Sequence, residues 1–436
     1  MAICDKMLTR RYKWKVLIIL SAFLGIQATD AYILSAVSPQ LIAEYHISYV
    51  TLGLLFSSTL IIATVLYPVW GYWYDKYSRK SLTAILALLL GSTTWLNALS
   101  RVFYQFFITR LLTAIGYPTP SGVYTLTSDY FEPKSRGKAI GFINAATPIG
   151  YLLGILIPLT IIGAGLNWRY SFFITGGISL IIGAMIYFFV KEIPRGNSEP
   201  ELEGKLTSDI YKVKLSDLKK IIKKRSLLLL FLQAVFGTIP WNTISFWIIT
   251  YMSIERKLPY FLIMIVMLVW IVMMVAGNVV SGYLSDFLFK KIPSGRVVLA
   301  TIVVFLAAVL IYFTMYSPTF SGFLVFGVLT AFEIPMAGPS VNAAVMDITE
   351  PELRGSALAY LNFFSAAGST VGPFLGGVLG AAISLKYAIT LISSVTWVAQ
   401  GILFAILIFT MPGDVKKLRE ILKYRGAELN KLAKGE

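Results

Sequence analysis

Three ionisable residues lie inside long apolar runs, and these are the residues with which this chain could do chemistry. Asp30 falls in the first run, Arg110 in the fourth and Glu333 in the tenth. A charged side chain at mid-bilayer costs at least about 2.5–3.5 kcal/mol on insertion scales, so each is a functional candidate by default. Counted from the outer ends, Asp30 is about nine residues deep and Arg110 about eight, or ~13 Å at ~1.5 Å per residue. Matching depth permits an ion pair. A carboxylate released from such a pair can take a proton, and a proton taken on one face and given up on the other can drive a solute. Glu333 has no evident basic partner. It is expected to be a second proton site or a hydrogen-bond donor to the solute.

Other chemistries find little support. Cys4 is the only cysteine and His46 the only histidine, so an intrachain disulfide and a Cys/His metal cluster are both excluded. No cofactor is expected. A membrane enzyme needs paired histidines or aspartates, or a nucleophile with its base, and the one histidine lies in an outer loop. No GxxxxGK[ST] stretch is present for ATP. A transporter-like sensor is a further alternative. It would carry a large soluble signalling domain, whereas the C-terminal tail here is a short basic segment.

The elements that must position these residues are membrane-spanning helices. Of 436 residues 57% are hydrophobic and only 14% charged. Many runs reach the roughly 20 apolar residues that cross ~30 Å of hydrocarbon. The ~10-residue alternating segments of a β-barrel are missing. The fold class expected is therefore all-α, with 12 transmembrane segments in two six-helix bundles. Segment 1 covers about Val16 to Ser38, segment 4 Val102 to Thr127, segment 10 Phe320 to Met346 and segment 12 Tyr387 to Met411. The division expected is 1–190 for the first bundle, 191–225 for a cytoplasmic linker, 226–411 for the second bundle and 412–436 for a cytoplasmic tail. The basic N-terminus leads into the first run with no small-residue cleavage site, so that run reads as a retained helix.

The net charge of +16 does not point to nucleic acid, because the basic residues sit in short loops and tails. Lys and Arg cluster on one side, in the N-terminus, the 2–3, 4–5 and 8–9 loops, the middle stretch and the tail. That predicts a multi-pass protein of the cell membrane with both termini cytoplasmic. In LSDLKKIIKKR, 215–225, Leu215, Leu218, Ile221 and Ile222 share one helical face and lysines crowd the other. This suits either a helix lying on anionic membrane lipid or a solvated basic linker.

The two bundles read as copies of one unit. Residues 112–146 and 329–364 share Leu-Thr-Ala, then Pro118 and Pro335, Asp129 and Asp347, Glu-Pro, Arg136-Gly137 and Arg354-Gly355, and Asn144 and Asn362. Two similar halves in a bilayer most often form a transporter. Small residues also recur every fourth position, at Ala146, Gly150 and Gly154 and at Gly368, Gly372, Gly376 and Gly380, a pattern that lets helices pack closely.

After segment 2 comes Gly71-Tyr72-Trp73-Tyr74-Asp75-Lys76, then Arg79 and Lys80. After segment 8 comes Gly282-Tyr283-Leu284-Ser285-Asp286, then Lys290 and Lys291. This repeated loop resembles the signature loop of the major facilitator superfamily. The first copy is the better match, since Phe287 replaces a basic residue in the second. Arg110 followed by Gly116, and Trp168-Arg169 before segment 6, are similar to marks of the same family, and the resemblance covers about 14–411. It implies a gating latch at the cytoplasmic side built from Gly71, Asp75, Arg79, Arg136, Asp286 and Arg354, with Asp75 near Arg354 and Asp286 near Arg136. It also implies proton-coupling roles for an acid in segment 1 and the arginine in segment 4.

The subfamily stays open among organic-anion symporters, sugar porters and spinster-like carriers. Asp30-Ala31-Tyr32 lacks the aspartate–arginine pair of the first and last of these, and Tyr117 stands where the lipid carriers have a glutamate. Segment 7, GTIPWNTISFWIITY, resembles the spinster-like bacterial members, and Lys191-Glu192-Ile193-Pro194-Arg195 resembles the sugar-porter tag. GSTVGPFLGG is similar to the antiporter motif but lies in segment 11 instead of segment 5, so it does not indicate an exporter.

Cavity-lining candidates are Gln27, Tyr32, Asn144, Gln233, Trp241, Asn242, Trp247, Asn278 and Asn362, whose amides and rings suit an organic solute. The function expected is a monomeric secondary transporter working by alternating access. It would couple a proton to inward symport of an organic anion or sugar-like compound. The alternative is a proton-coupled exporter of drugs or lysolipids.

Overall fold

A computed structural model describes residues 9–118, 120–131, 133–193, 224–292, 294–349 and 354–434. The described residues are almost wholly helical, with no strand among them. In chain order the helices are α1 (Arg10–Tyr45), α2 (Tyr49–Lys76), α3 (Arg79–Leu99), α4 (Phe103–Ala114), α5 (Pro120–Tyr130), α6 (Pro133–Gly163) and α7 (Arg169–Phe189). Then follow α8 (Arg225–Thr250), α9 (Tyr260–Lys291), α10 (Gly295–Tyr316), α11 (Phe320–Glu333), α12 (Ala337–Ile348), α13 (Arg354–Ala382) and α14 (Leu385–Lys434). Their ends follow local rules. Ser48, Ser78 and Thr319 each turn a side-chain oxygen back onto a first-turn amide, at Thr51, Ser81 and Gly322. His46 closes α1 in the left-handed conformation with φ 51°.

Among the described helices, 11 are long and apolar enough to cross a membrane. The twelfth expected span, segment 4, is not one helix. It is broken between α4 and α5 at the turn 115–118, where Pro118 and Pro120 supply no amide hydrogen. Segment 10 is broken in the matching place: a 3₁₀ turn, Ile334–Met336, separates α11 from α12 at Pro335. At the C-terminal end, α14 runs on past Pro412 to Lys434, so the tail continues the last span as helix. The amphipathic stretch foreseen at 215–225 falls almost entirely outside the described residues.

The chain packs as two units. The first comprises Met1–Ser208 with Ile249–Ile265, the second Asp209–Ile248 with Val266–Glu436. The first unit thus includes the end of α8, the π-helical turn Tyr251–Glu255 and the start of α9.

Inside the first unit α1 lies so close to α6 that a Cβ on Gly150 would run into the Gly25 carbonyl oxygen, and one on Gly154 into that of Thr29. α3 meets α7 in the same way through Gly91 and Gly176, and Ser179 Oγ donates to the Ala87 carbonyl at 2.9 Å. The second unit repeats both contacts. Gly368 and Gly372 of α13 sit on the Val235 and Ile239 carbonyls of α8, and Ser394 of α14 donates to the Ala308 carbonyl at 3.0 Å. Small residues at these crossings are what apolar helices need to associate where no hydrophobic force drives them together. Large apolar side chains such as Val65, Ile181, Val272 and Phe409 stay exposed, as a lipid-facing surface requires.

Candidate functional site

The polar centre of the first unit is built where α1, α3, α4 and the 115–118 turn meet. Asp30 of α1 and Arg110 of α4 are 1% and 0% exposed. Arg110 Nη1 donates to Asp30 Oδ2 at 2.9 Å, and Nη2 donates to the Asp30 backbone carbonyl at 2.8 Å. Thr94 of α3 donates to the other carboxylate oxygen, Oδ1, at 2.8 Å. Tyr117 completes the cluster. Its hydroxyl donates to Asp30 Oδ2 at 3.0 Å and accepts from Arg110 Nη2 at 2.9 Å. The Phe172 ring covers the guanidinium at 5.9 Å. Below this pair Thr109 donates to Asn97 Oδ1 at 2.7 Å, and Asn97 Nδ2 donates to Thr113 at 3.3 Å.

Two opposite charges in so dry a place are tolerable only because each is hydrogen-bonded by the other and by neutral groups around it. A proton on Asp30 would remove the charge that pairs with Arg110 and occupy one of the carboxyl lone pairs.

Gln27, one turn before Asp30 on α1, is buried. It donates Nε2 to the carbonyls of Gly116 and Tyr117 at 2.8 Å each. Its amide is thus engaged inside the first unit. Tyr32 stacks edge-on with Tyr151 at 4.1 Å, and Asn144 is exposed, accepting from the Tyr124 hydroxyl at 2.7 Å.

In the second unit Glu333 ends α11 and is 4% exposed, and neither carboxyl oxygen has a hydrogen-bond partner among the described residues. Gln233 accepts from Gln400 at 2.9 Å and donates to the Leu230 carbonyl, while Asn242 donates to that of Thr238. Trp247 is fully buried against Gly376 and donates to the Pro373 carbonyl at 2.9 Å. Trp241 is half-buried, and Asn278 and Asn362 are exposed. Of the nine cavity candidates Gln27, Gln233 and Trp247 are buried, Tyr32, Trp241 and Asn242 are half-buried, and Asn144, Asn278 and Asn362 are exposed.

Of the gating residues, the side chains of Gly71, Asp75, Arg136 and Arg354 lie outside the described residues. Arg79 is buried in an ion pair with Asp129 at the end of α5. Asp286 pairs with Arg296 at 3.0 Å, and Arg296 also meets Asp347 at 3.2 Å. Each unit thus holds an arginine at the start of one helix (α3, α10) against an aspartate at the end of another (α5, α12). The repeat exposed Asp129 and Asp347, but their arginine partners come from outside the repeated stretch. Glu192, quoted above only for a resemblance, has a structural place. Its carboxylate accepts from Ser78 Oγ and from the Arg79 and Lys80 amides at 2.6, 3.1 and 2.9 Å, capping the N-terminus of α3.

The symmetry of the two units shows what is particular to the first. By the matched glycine contacts Thr29 corresponds to Ile239, so Asp30 corresponds to Pro240. By the shared Leu-Thr-Ala, Arg110 corresponds to Gly327, which is overlaid by the Trp270 indole. The ion pair has no counterpart in the second unit.

Comparison with known proteins agrees with this architecture. A family model described as Major Facilitator Superfamily matches residues 18–293 and 287–431. The chain belongs to the Major Facilitator Superfamily, and is a multi-pass membrane transporter for small solutes and not an enzyme. It is 27% identical over 384 residues to a hexuronate transporter of Bacillus subtilis, covering 84% of this chain and 88% of that one. It is 27% identical over 257 residues to protein spinster homolog 1 of Xenopus tropicalis, covering 57% of this chain and 48% of the relative. The crystal structure of a bacterial homologue of the human lysosomal transporter spinster superposes with a TM-score of 0.79 at 16% identity, over 94% of this chain and 98% of the other. At that identity the likeness speaks for the fold.

Proposed function

We propose that the protein is a secondary transporter that works by alternating access and couples a proton to the inward movement of a small organic anion. The observation that carries this reading is the buried Asp30–Arg110 pair, with Tyr117 and Thr94 closing its coordination. A proton on Asp30 neutralises the partner of Arg110, and the guanidinium then offers donors to a carboxylate on the solute. The solute's arrival and the proton's arrival therefore favour each other, which is the linkage that symport needs. The hexuronate transporter that matches along most of both chains makes sugar acids the first solutes to try. Glu333 acts in this scheme as a second protonatable group at the break in segment 10. The gating role of Gly71, Asp75, Arg79, Arg136, Asp286 and Arg354 belongs to the same reading, as does a location in the cell membrane with both termini cytoplasmic.

The test is uptake of radiolabelled glucuronate into liposomes containing the purified protein. An inwardly directed proton gradient is expected to drive accumulation above equilibrium, and Asp30→Asn to abolish the effect of the gradient while leaving exchange of the solute. Gradient-driven extrusion of a lipophilic cation or a lysolipid, with no uptake of glucuronate, supports the exporter reading instead.

A further inference from the structure

We infer that Phe172 is the centre of a proton-tight aromatic seal inside the first unit: with Phe106, Trp168 and Tyr45 it closes the bundle between the Asp30–Arg110 pair and the end where α1 and α3 finish. The inference rests on the coupling role proposed for Asp30. It names the residues that deny protons a second route to that carboxylate.

Helical spacing brings the rings together. Phe106 precedes Arg110 by one turn on α4, and Trp168, at the cap of α7, precedes Phe172 by one turn, so each pair shares a helix face. The centroids of Phe106, Phe172 and Trp168 form a triangle with sides of 5.8, 5.7 and 5.9 Å, every pair meeting edge to face. Tyr45, the last residue of α1, adds a fourth ring 6.0 Å from Phe106 and 6.4 Å from Trp168. Phe106 and Phe172 are fully buried and Trp168 nearly so. On the inner side the Phe172 ring lies over the Arg110 guanidinium at 5.9 Å. The opposite side is latched to a surface carboxylate. Trp168 donates its one polar atom, Nε1, to Oε2 of the exposed Glu44 at 2.6 Å. Arg169 donates to Glu44 Oε1 at 2.6 Å and to the Ser100 carbonyl at 2.9 Å.

Polar groups thread the same level beside the rings, and a row of hydroxyls could hand protons inward. The bonds made here stop short of that. The Tyr45 and Ser100 hydroxyls meet at 3.0 Å, and Ser100 Oγ then donates to the Asn97 backbone carbonyl at 2.7 Å. Deeper in, Thr109 donates to Asn97 Oδ1, Asn97 Nδ2 to Thr113, and Thr113 back to the Thr109 carbonyl at 2.9 Å. A backbone carbonyl accepts a hydrogen bond but holds no proton to pass on, so neither chain of bonds reaches Asp30 among the described residues. A hydronium ion would have to cross the ring layer itself, where nothing replaces the water it loses. Charge opposes it as well. The groups that flank the layer are Glu44 and Arg169 at its outer edge and Arg110 directly beneath Phe172. A proton arriving from that end would meet the guanidinium before the carboxylate, and a fixed arginine is a barrier to cations.

The experiment measures proton flux into liposomes that hold the purified protein and a trapped pH-sensitive dye, with potassium and valinomycin clamping the potential and no solute present. Wild type is expected to be tight. Phe172→Ala is expected to raise the flux about tenfold, equivalent to ~1.4 kcal/mol of barrier. Adding Asp30→Asn to it is expected to return the flux to the wild-type level, because the leak runs through that carboxylate. Glu44→Ala, which releases the Trp168 indole, is expected to leak in the same Asp30-dependent way but less. A tight Phe172→Ala overturns the inference. So does a leak that persists in Phe172→Ala with Asp30→Asn, which is the mark of a damaged fold, or a wild type that leaks as freely as the variant. If Phe172→Ala does not fold, Phe172→Val removes less of the ring layer and must show the same Asp30-dependent leak; a tight Phe172→Val overturns the seal. The two readings also fail separately. Gradient-driven uptake of glucuronate by wild type alongside a tight Phe172→Ala keeps the coupling role and sinks the seal. An Asp30-dependent leak in Phe172→Ala, with no gradient-driven uptake by wild type, keeps the seal and sinks the proposed symport.

Discussion

Arg110 holds the Asp30 carboxylate with one nitrogen and the Asp30 backbone with another, and that double grip decides how its loss would be felt. A buried ion pair adds little net stability, since desolvation offsets most of the attraction, but removal of one partner leaves an unpaired buried charge at a cost of about 3–5 kcal/mol. Arg110→Ala is therefore expected to lower the melting temperature in detergent markedly. Adding Asp30→Asn to it should recover a large part of the loss, because the remaining group is then neutral; fluorescence-detected melting reads both. Thr94→Val removes one neutral donor to the carboxylate and should cost about 1–2 kcal/mol, with solute exchange retained. The pair itself was legible in the sequence, because both residues are ionisable and lie at one depth. Tyr117 was visible only as an anomaly of type. Its reach to Asp30 joins residues 87 apart in sequence across the tight turn at 115–118, a nonlocal arrangement that no spacing reveals.

Single helices show where periodic reading fails. Length and hydropathy located the membrane spans, yet segments 4 and 10 were read as continuous because apolar composition is indifferent to a missing amide hydrogen. Pro118, Pro120 and Pro335 were the available signal, and their recurrence in both copies was the stronger part of it. The glycine ridges were legible as a pattern, but which glycines are critical needed the partner helix. A Cβ on Gly150 meets backbone of α1, which cannot step aside, whereas one on Gly141 of the same helix meets nothing within 4 Å. Gly150→Ala is accordingly expected to reduce folded yield and melting temperature. Gly141→Ala should be neutral or raise stability by up to about 1 kcal/mol through helix propensity. Size-exclusion profiles and melting curves of the two variants compare them directly.

At the scale of the whole chain, duplication was readable from two short stretches and the family resemblance from one repeated loop. The ion pairs that pin the helix ends were not readable, because each joins residues far apart in sequence. They also differ in weight. Arg79 and Asp129 have side chains 10% and 9% exposed, whereas Asp286 is 66% exposed beside Arg296. A screened surface pair contributes about 0–1 kcal/mol. Asp129→Asn should therefore destabilise the protein by several times as much as Asp286→Asn, and only the latter's small effect should vanish in high salt.

The confinement of the ion pair to the first unit bears on how the protein is made. Asp30 emerges from the ribosome with its arginine still 80 residues away, so α1 enters the bilayer bearing an acid that nothing there can match. The apolar residues around it must carry that cost, about 2.5–3.5 kcal/mol, until α4 arrives. The second half has proline and glycine at the corresponding positions, and its own buried acid, Glu333, awaits no arginine there, so chains truncated before α4 should hold α1 in the bilayer less firmly than chains that include it.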